Sequence, residues 1–416
     1  MNDAAPFLRR RALELGFERA GVCRAHPPRD GEHLRQWLAE GRHGTMEWME
    51  RTLTQRLDPE RLLAGARSVL VVALNYAAAP ASATPSPRPP DASDAAAARG
   101  PAGCDAPLAR GLTGRVSIYA RGRDYHRVLI RRLEQLRSEL ALRLPGCRTR
   151  ICVDTSPLLE RYWAQAAGVG WVGKNTNLIV QGLGSWVFLG ALLCDVDLGS
   201  EPPATERCGT CRRCLDACPT RAFDSAWRLD ARRCVSYLTI EHRGEIDPAL
   251  AAGMGDWVFG CDDCQTVCPW NRFALPTRVP EFEEGAGTGL GLDSLARLDE
   301  AQFDALTRGR GLRRAGRAGL RRNAIIALGN SADRRAFEPL RRTLDDPLPA
   351  LRRQAAHALA RLALALAGHD GSASLARQAE TALRARLESE ADGPTRQDLT
   401  RALASLARPA GAAACA

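Results

Sequence analysis

Eight cysteines between Cys208 and Cys268 constrain the folding of this chain more than any other feature. Cys208-x2-Cys211-x2-Cys214-x3-Cys218-Pro219 is the bacterial spacing in which three thiolates grip one 4Fe-4S cubane and the fourth, before proline, reaches a second. A further group, Cys261-x2-Cys264-x3-Cys268-Pro269, ends the same way but is one cysteine short. If Cys268 takes the crossing role there, Cys261 and Cys264 need another partner, and Cys234 is the sole cysteine between the groups. The count then closes with cluster 1 on Cys208, Cys211, Cys214 and Cys268, and cluster 2 on Cys218, Cys234, Cys261 and Cys264. Zinc is the alternative tenant of tetrahedral thiolates, but it does not require the crossing Cys-Pro geometry.

Fourteen cysteines in 416 residues, with no signal peptide, point to metal binding in a reducing compartment and against a disulfide scaffold. Arg9, Arg10 and Arg11 precede a charged stretch, not an apolar one, and no run of eighteen apolar residues occurs. The expectation is therefore a cytoplasmic monomer with no membrane association. The formal net charge of +10 favours a polyanionic partner such as RNA. Its cations are arginine with one exception, Lys174, which marks that position as one where a compact ammonium is wanted.

Hydrophobic periodicity divides the rest. Residues 1–76 read as helices closing on a buried strand, Ser68 to Tyr76. From 77 to 114 the composition turns to Ala, Pro, Ser and Gly, the signature of a disordered insertion in which Cys104 is incidental. A helix over 125–144, a strand at 150–153, and a glycine-linked hairpin of 177–180 with 186–193 complete an α/β (α+β) domain over 1–200. It contains no G-x-G-x-x-G after a strand and no P-loop, so the electron acceptor is unconventional. Residues 201–280 form the two-cluster 4Fe-4S unit and 281–309 a linker. Leu320 to Leu328 matches Leu351 to Leu359 at 31 residues' distance, which predicts all-α, HEAT-like repeats over 310–416.

Several motifs together resemble the epoxyqueuosine reductases along nearly the whole chain. They are Tyr119-Ala-Arg-Gly-Arg-Asp-Tyr-His126, Val153-Asp-Thr-Ser-Pro-Leu-Leu-Glu-Arg161, Gly170-Trp-Val-Gly-Lys-Asn-Thr176, both cysteine groups, and Cys234-Val-Ser-Tyr-Leu-Thr-Ile-Glu-His242. The resemblance implies a cobalamin-binding N-terminal domain holding the cofactor base-off and a ferredoxin-like domain whose two 4Fe-4S clusters feed it electrons. The implied substrate is tRNA, whose epoxyqueuosine at the wobble position becomes queuosine, with electrons from an unidentified low-potential donor. Asp154 matches the family's proton donor to the epoxide oxygen; its other reading is a helix cap before Leu158. Tyr119, Arg121, Asp124, Tyr125 and His126 would face the corrin or the substrate, and Lys174, Asn175, Leu178 and Tyr237 fall beside the same cofactor. The long insertion departs from the family pattern. Arginines of the tail, Arg321, Arg322, Arg341, Arg342, Arg352 and Arg353, are expected to meet phosphates.

Two other designs share parts of this pattern. Reductive dehalogenases also combine cobalamin with two clusters, but typically carry a twin-arginine export signal and no HEAT-like tail. An RNA-associated electron carrier would need the clusters and the basic tail but no cobalamin.

Overall fold

The computed structural model describes residues 4–78, 112–283, 289–367 and 372–407. In chain order its first seven strands are β1 (Arg19–Arg24), β2 (Ser68–Asn75), β3 (Thr113–Val116), β4 (Thr149–Cys152), β5 (Trp171–Val172), β6 (Leu178–Ile179) and β7 (Val187–Cys194). Four of them build the principal sheet in the order β1-β2-β7-β4, every pairing antiparallel. The register lines up Gly21, Val71, Ala191 and Cys152 as one row across it.

Period-two alternation sorts the side chains of β2 to opposite faces. Leu70, Val72 and Leu74 meet Leu8 and Ala12 of the helix Ala4–Glu14 and Leu129, Leu133, Leu136 and Leu140 of the helix Tyr125–Arg143. Val69, Val71 and Ala73 meet Trp163 and Ala164 of the helix Glu160–Ala166. With helices on both faces every residue of β2 is buried, hence its unbroken apolar run.

Three sequence expectations are corrected here. Residues 1–76 are not all helical, because β1 lies on the sheet edge. Its run Arg-Ala-Gly-Val-Cys-Arg has too few large apolar residues to show alternation, and pairing with β2 supplies what propensity does not. The segments 177–180 and 186–193 do not pair with each other as a hairpin. β6 pairs with β5, and β7 inserts between β2 and β4; a bridge between Val180 and Gly184 is the remnant of the expected turn. The insertion is bounded more tightly than 77–114, since Ala77 is buried and β3 starts at Thr113; residues 79–111, Cys104 included, lie outside the described residues.

β3 pairs in parallel with the strand Trp257–Phe259 and antiparallel with Leu290–Gly291, so cluster segment and tail share a small sheet. The stretch expected as a linker, 281–309, carries the helices Leu292–Ala296 and Glu300–Thr307. Leu292, Leu295 and Phe303 belong to the core of the helical tail. That tail stacks Gly316–Asn330, Phe337–Thr343, Pro349–Ala365, Ser372–Ser389 and Gly393–Leu406. The repeat is real in packing terms, since Leu320, Ala324 and Leu328 are buried like Leu351, Ala355 and Leu359.

The tail arginines divide. Arg321 and Arg352 are buried at equivalent positions of the two units; the first donates to the Ala296 carbonyl at 2.8 Å and pairs with Asp346, the second holds Glu390 bidentately at 2.7 Å. Arg322, only 4% exposed, donates to the carbonyls of Leu238, His242 and Gly244, and Arg353 pairs with Glu245. These last two clamp the repeats to the segment after Cys234. Arg321, Arg322 and Arg352 therefore cannot be phosphate contacts: a guanidinium buried among carbonyls and carboxylates has no face left for RNA. Arg341 and Arg342 stay at the surface beside Glu338.

Candidate active site

The eight thiols expected to hold clusters are all free and partly buried. Burial raises the pKa of Cys214, Cys261 and Cys264. After burial, Cys214 feels the charges of Cys268, Cys208 and Cys211, Cys261 that of Cys234, and Cys264 those of Cys234, Cys214 and Cys218, so the two expected sets adjoin. A cavity of about 260 Å³ opens among Cys208, Cys211, Cys214 and Cys268, with Lys174, Trp270 and Phe273 on its walls. Among the described residues no three of His, Cys, Asp or Glu close on a single-ion site. A roomy pocket edged by four thiols fits a cubane.

Short helices place these thiols. Arg213–Asp216 follows Cys211 and carries Cys214, Asp263–Thr266 carries Cys264, and Cys234 stands at the N-terminus of Val235–Ile240. Gly260, at φ +67°, lets the backbone pass Ser117, where a Cβ would stand 2.5 Å from that side chain. Next to it, the buried Asp262 accepts from the Ser117 hydroxyl at 2.5 Å and the Ile118 amide at 2.8 Å. Burial raises its pKa, against the pull of those two bonds. This carboxylate ties the cluster 2 loop to the Tyr119 loop. Asp262 stands out in the sequence only as a polar residue inside a cysteine motif, and its partners are 145 residues away.

The loop after β5 spans both clusters. Lys174 Nζ donates to the carbonyls of Gly209 and, at 3.0 Å, Cys211. Asn175 Nδ2 donates to the Cys264 carbonyl at 3.3 Å, and Asn177 Nδ2 lies 3.9 Å from Cys264 Sγ. Lys174 and Asn175, expected beside a corrin, brace the cysteine loops in this structure. Lys174 also lines the cavity among Cys208, Cys211, Cys214 and Cys268, and Asn175 is buried. Leu178 lies in the core beneath the sheet, and Tyr237 is buried with its hydroxyl bonded to Thr45. Neither has surface left for a ligand.

The remaining candidates do converge. Asp124 caps the helix Tyr125–Arg143 by accepting from the His126 amide. The same carboxylate lies 2.7 Å from His126 Nδ1, while Nε2 of that ring lies 3.1 Å from Asp154 Oδ2. Carboxylates on both nitrogens require both to be donors, which is the imidazolium. Burial alone would lower the pKa of His126, but its bonds and charges with Asp124 and Asp154 outweigh that and lift it to about 9. Tyr125 stacks between His126 at 4.3 Å and Phe188 at 4.2 Å, and Tyr119 meets it edge-on. Arg121 turns back to its own loop, donating to the Val116 carbonyl at 2.9 Å.

Asp154 follows β4 at its carboxyl end, with φ +42°. Its side chain is 58% exposed although protein surrounds it, as on the floor of an open cleft. It caps no helix, since the helix Glu160–Ala166 starts at Leu159 without a side-chain cap, and the capping reading falls. Surrounding protein pushes its pKa up, but the His126 bond and charge, with Tyr125 and Arg161, hold it below the usual carboxylate value. In this state the raised His126 holds the shared proton. Nearby, Glu160 is pushed up to about 8 by burial. Its buried Oε1 has no hydrogen-bond partner among the described residues.

Comparison with known proteins agrees with this geometry. Family models match for a 4Fe-4S double cluster binding domain over 207–271, an epoxyqueuosine reductase domain over 56–155 and HEAT repeats over 309–404. An epoxyqueuosine reductase of Xanthomonas campestris pv. campestris is 41% identical over 79% of this chain and 87% of its own length. A crystal structure of epoxyqueuosine reductase with an epoxyqueuosine-modified tRNA-Tyr stem loop is 27% identical, with TM-score 0.81 over 96% of this chain and 98% of that one. A Bacillus subtilis epoxyqueuosine reductase structure, described with an aspartate catalytic loop swung out of the active site, is 25% identical with TM-score 0.79 over 96% and 98%. With that identity over more than two thirds of both sequences, the chain belongs to the epoxyqueuosine reductases.

Proposed function

We propose that this reductase converts epoxyqueuosine in tRNA to queuosine with cobalamin bound over Asp154 and electrons drawn through both clusters. The reaction takes two electrons and two protons: the epoxide carbons become an alkene and the oxygen leaves as water. Cobalamin, when bound, would supply a low-potential cobalt centre for this two-electron reduction. Asp154 is exposed and Tyr119, Tyr125 and His126 are partly so, leaving surface that would hold it or the substrate.

The observation that carries the reading is the relay Asp124, His126, Asp154 at 2.7 and 3.1 Å. As negative charge develops on the epoxide oxygen, a proton delivered through Asp154 is drawn from the imidazolium behind it. Asp124 holds that ring in place and stabilises its charge. The positive φ of Asp154 is a strained backbone position of the kind found on active-site loops, and the Bacillus subtilis relative with its aspartate loop swung out supports a loop that moves.

The relay predicts a pH profile. Because His126 is raised, its proton and the stability it lends are fully present below about 6.5, its ordinary value, and are lost as pH rises through about 9. Single-turnover rates should therefore hold through neutrality and fall as pH passes about 9. His126→Gln should abolish that limb. A fall already complete near neutrality would contradict the relay.

A further inference from the structure

A second cleft, of about 410 Å³, lies behind the relay, on the far side of Asp124, and five arginines line it: Arg123, Arg127, Arg131, Arg308 and Arg310. Three separate segments form it. The Arg123 amide donates to the Glu281 carbonyl at 2.8 Å and the Asp124 amide to the Gly309 carbonyl at 2.8 Å, so the walls are fixed relative to one another. Two carboxylates also face it, Asp124 and Glu281, but both are engaged. Asp124 holds His126 and Glu281 pairs with Arg131 at 2.5 Å, while Arg308 is taken by Asp304 outside the cleft. Arg127 and Arg310 have no ion-pair partner among the described residues.

Guanidinia without an ion-pair partner on the walls of one preformed cleft leave it with positive charge that an anion would neutralise. Their planar forks match the geometry of a phosphate. We infer that this cleft binds a phosphodiester, and that in the working enzyme it is the tRNA backbone beside the nucleotide being reduced. The assignment rests on the tRNA-reductase reading. It also relocates RNA contact from the tail arginines, half of which are buried, to the junction between the Tyr119 loop and the first helices of the tail. Asp124 forms part of the cleft wall and positions His126, so a phosphodiester seated there would fix the substrate's register on the relay.

The other source of the same chemistry is the phosphodiester in the nucleotide tail of a corrinoid, and the test separates the two. Arg127→Gln/Arg310→Gln would be compared with wild type for binding a fluorescent anticodon stem-loop by anisotropy across a salt series, and for binding cobalamin by absorbance titration. Iron content and melting temperature would verify folding. The expected result is RNA affinity weaker by ~10-fold or more, with the log-log salt slope reduced by about one to two, at 0.7 to 0.9 per phosphate, and cobalamin affinity unchanged. Weakened cobalamin binding with RNA affinity intact would assign the cleft to the corrinoid tail and overturn the RNA assignment; no change in either would overturn the site altogether. Failure of wild type to convert epoxyqueuosine would count against the functional reading alone, because the cleft is scored on binding without turnover.

Discussion

Asp154→Asn is expected to lower the single-turnover rate by ~10² to 10⁴, the span a positioned general acid contributes, while iron content, RNA affinity and melting temperature stay close to wild type. The structure explains why asparagine is the informative replacement. At φ +42° most side chains are strained, but asparagine, like aspartate, tolerates the left-handed region. Its Oδ1 can still accept from His126 Nε2, so the ring keeps its position and its pairing with Asp124. What is lost is the carboxylate that can take a proton from the imidazolium and hand it on. Alanine would confuse the outcome by adding backbone strain and freeing the ring. An Asn variant that turns over at the wild-type rate would remove Asp154 from the chemistry.

Cys234→Ser should take the iron content from roughly eight to roughly four per chain, the loss of one cubane of two, and eliminate epoxide reduction. Cys234 is the one ligand that no motif spacing declares. Its place rests on the count of cysteines, and in the structure it stands with Cys218, Cys261 and Cys264. Serine keeps the size but not the soft thiolate that iron-sulfur clusters select. Cys152 is the proper control. It is fully buried in the sheet, its thiol pushed up to about 11 by burial, and Cys152→Ser should keep all its iron. Full iron in the Cys234 variant together with loss in the Cys152 variant would break the ligand assignment.

These two sites also show what the sequence could and could not disclose. Cysteine spacing is a local code: once thiolates recur at two and three residues before a proline, the geometry that uses them is narrow, and the reading needed no tertiary information. The buried run Ser68 to Asn75 was legible from its own composition, as was the helix Tyr125–Arg143 from its periodicity. Arginine proved ambiguous. Leu-Arg-Arg in the repeats reads as a basic surface, yet Arg321, Arg322 and Arg352 point into the protein, because their partners Asp346, Glu390 and the carbonyls after Leu238 are distant in sequence. The arginines of the second cleft come from three segments, and no single one of them looks like a site.

Lys174 illustrates a partial reading. Its rarity did mark a position with a specific job, and an ammonium does bridge two carbonyls there. The job is to pin the cluster 1 loop at Gly209 and Cys211, a contact over 35 residues that composition could not reveal. Asp154 stands out by its motif and by its place at the end of a strand, but its partner His126, itself held by Asp124, meets it only in the folded chain.

In the proposed function both clusters and a corrinoid serve one reduction on tRNA. Anaerobic single turnover of the iron-loaded protein on an epoxyqueuosine stem-loop, with and without cobalamin, reads this out through the nucleosides by mass spectrometry. Queuosine should form only when cobalamin and reductant are both present, and not at all in the Cys234→Ser protein. Queuosine formed at the same rate without cobalamin, or epoxyqueuosine left intact by the fully loaded enzyme, would contradict the account.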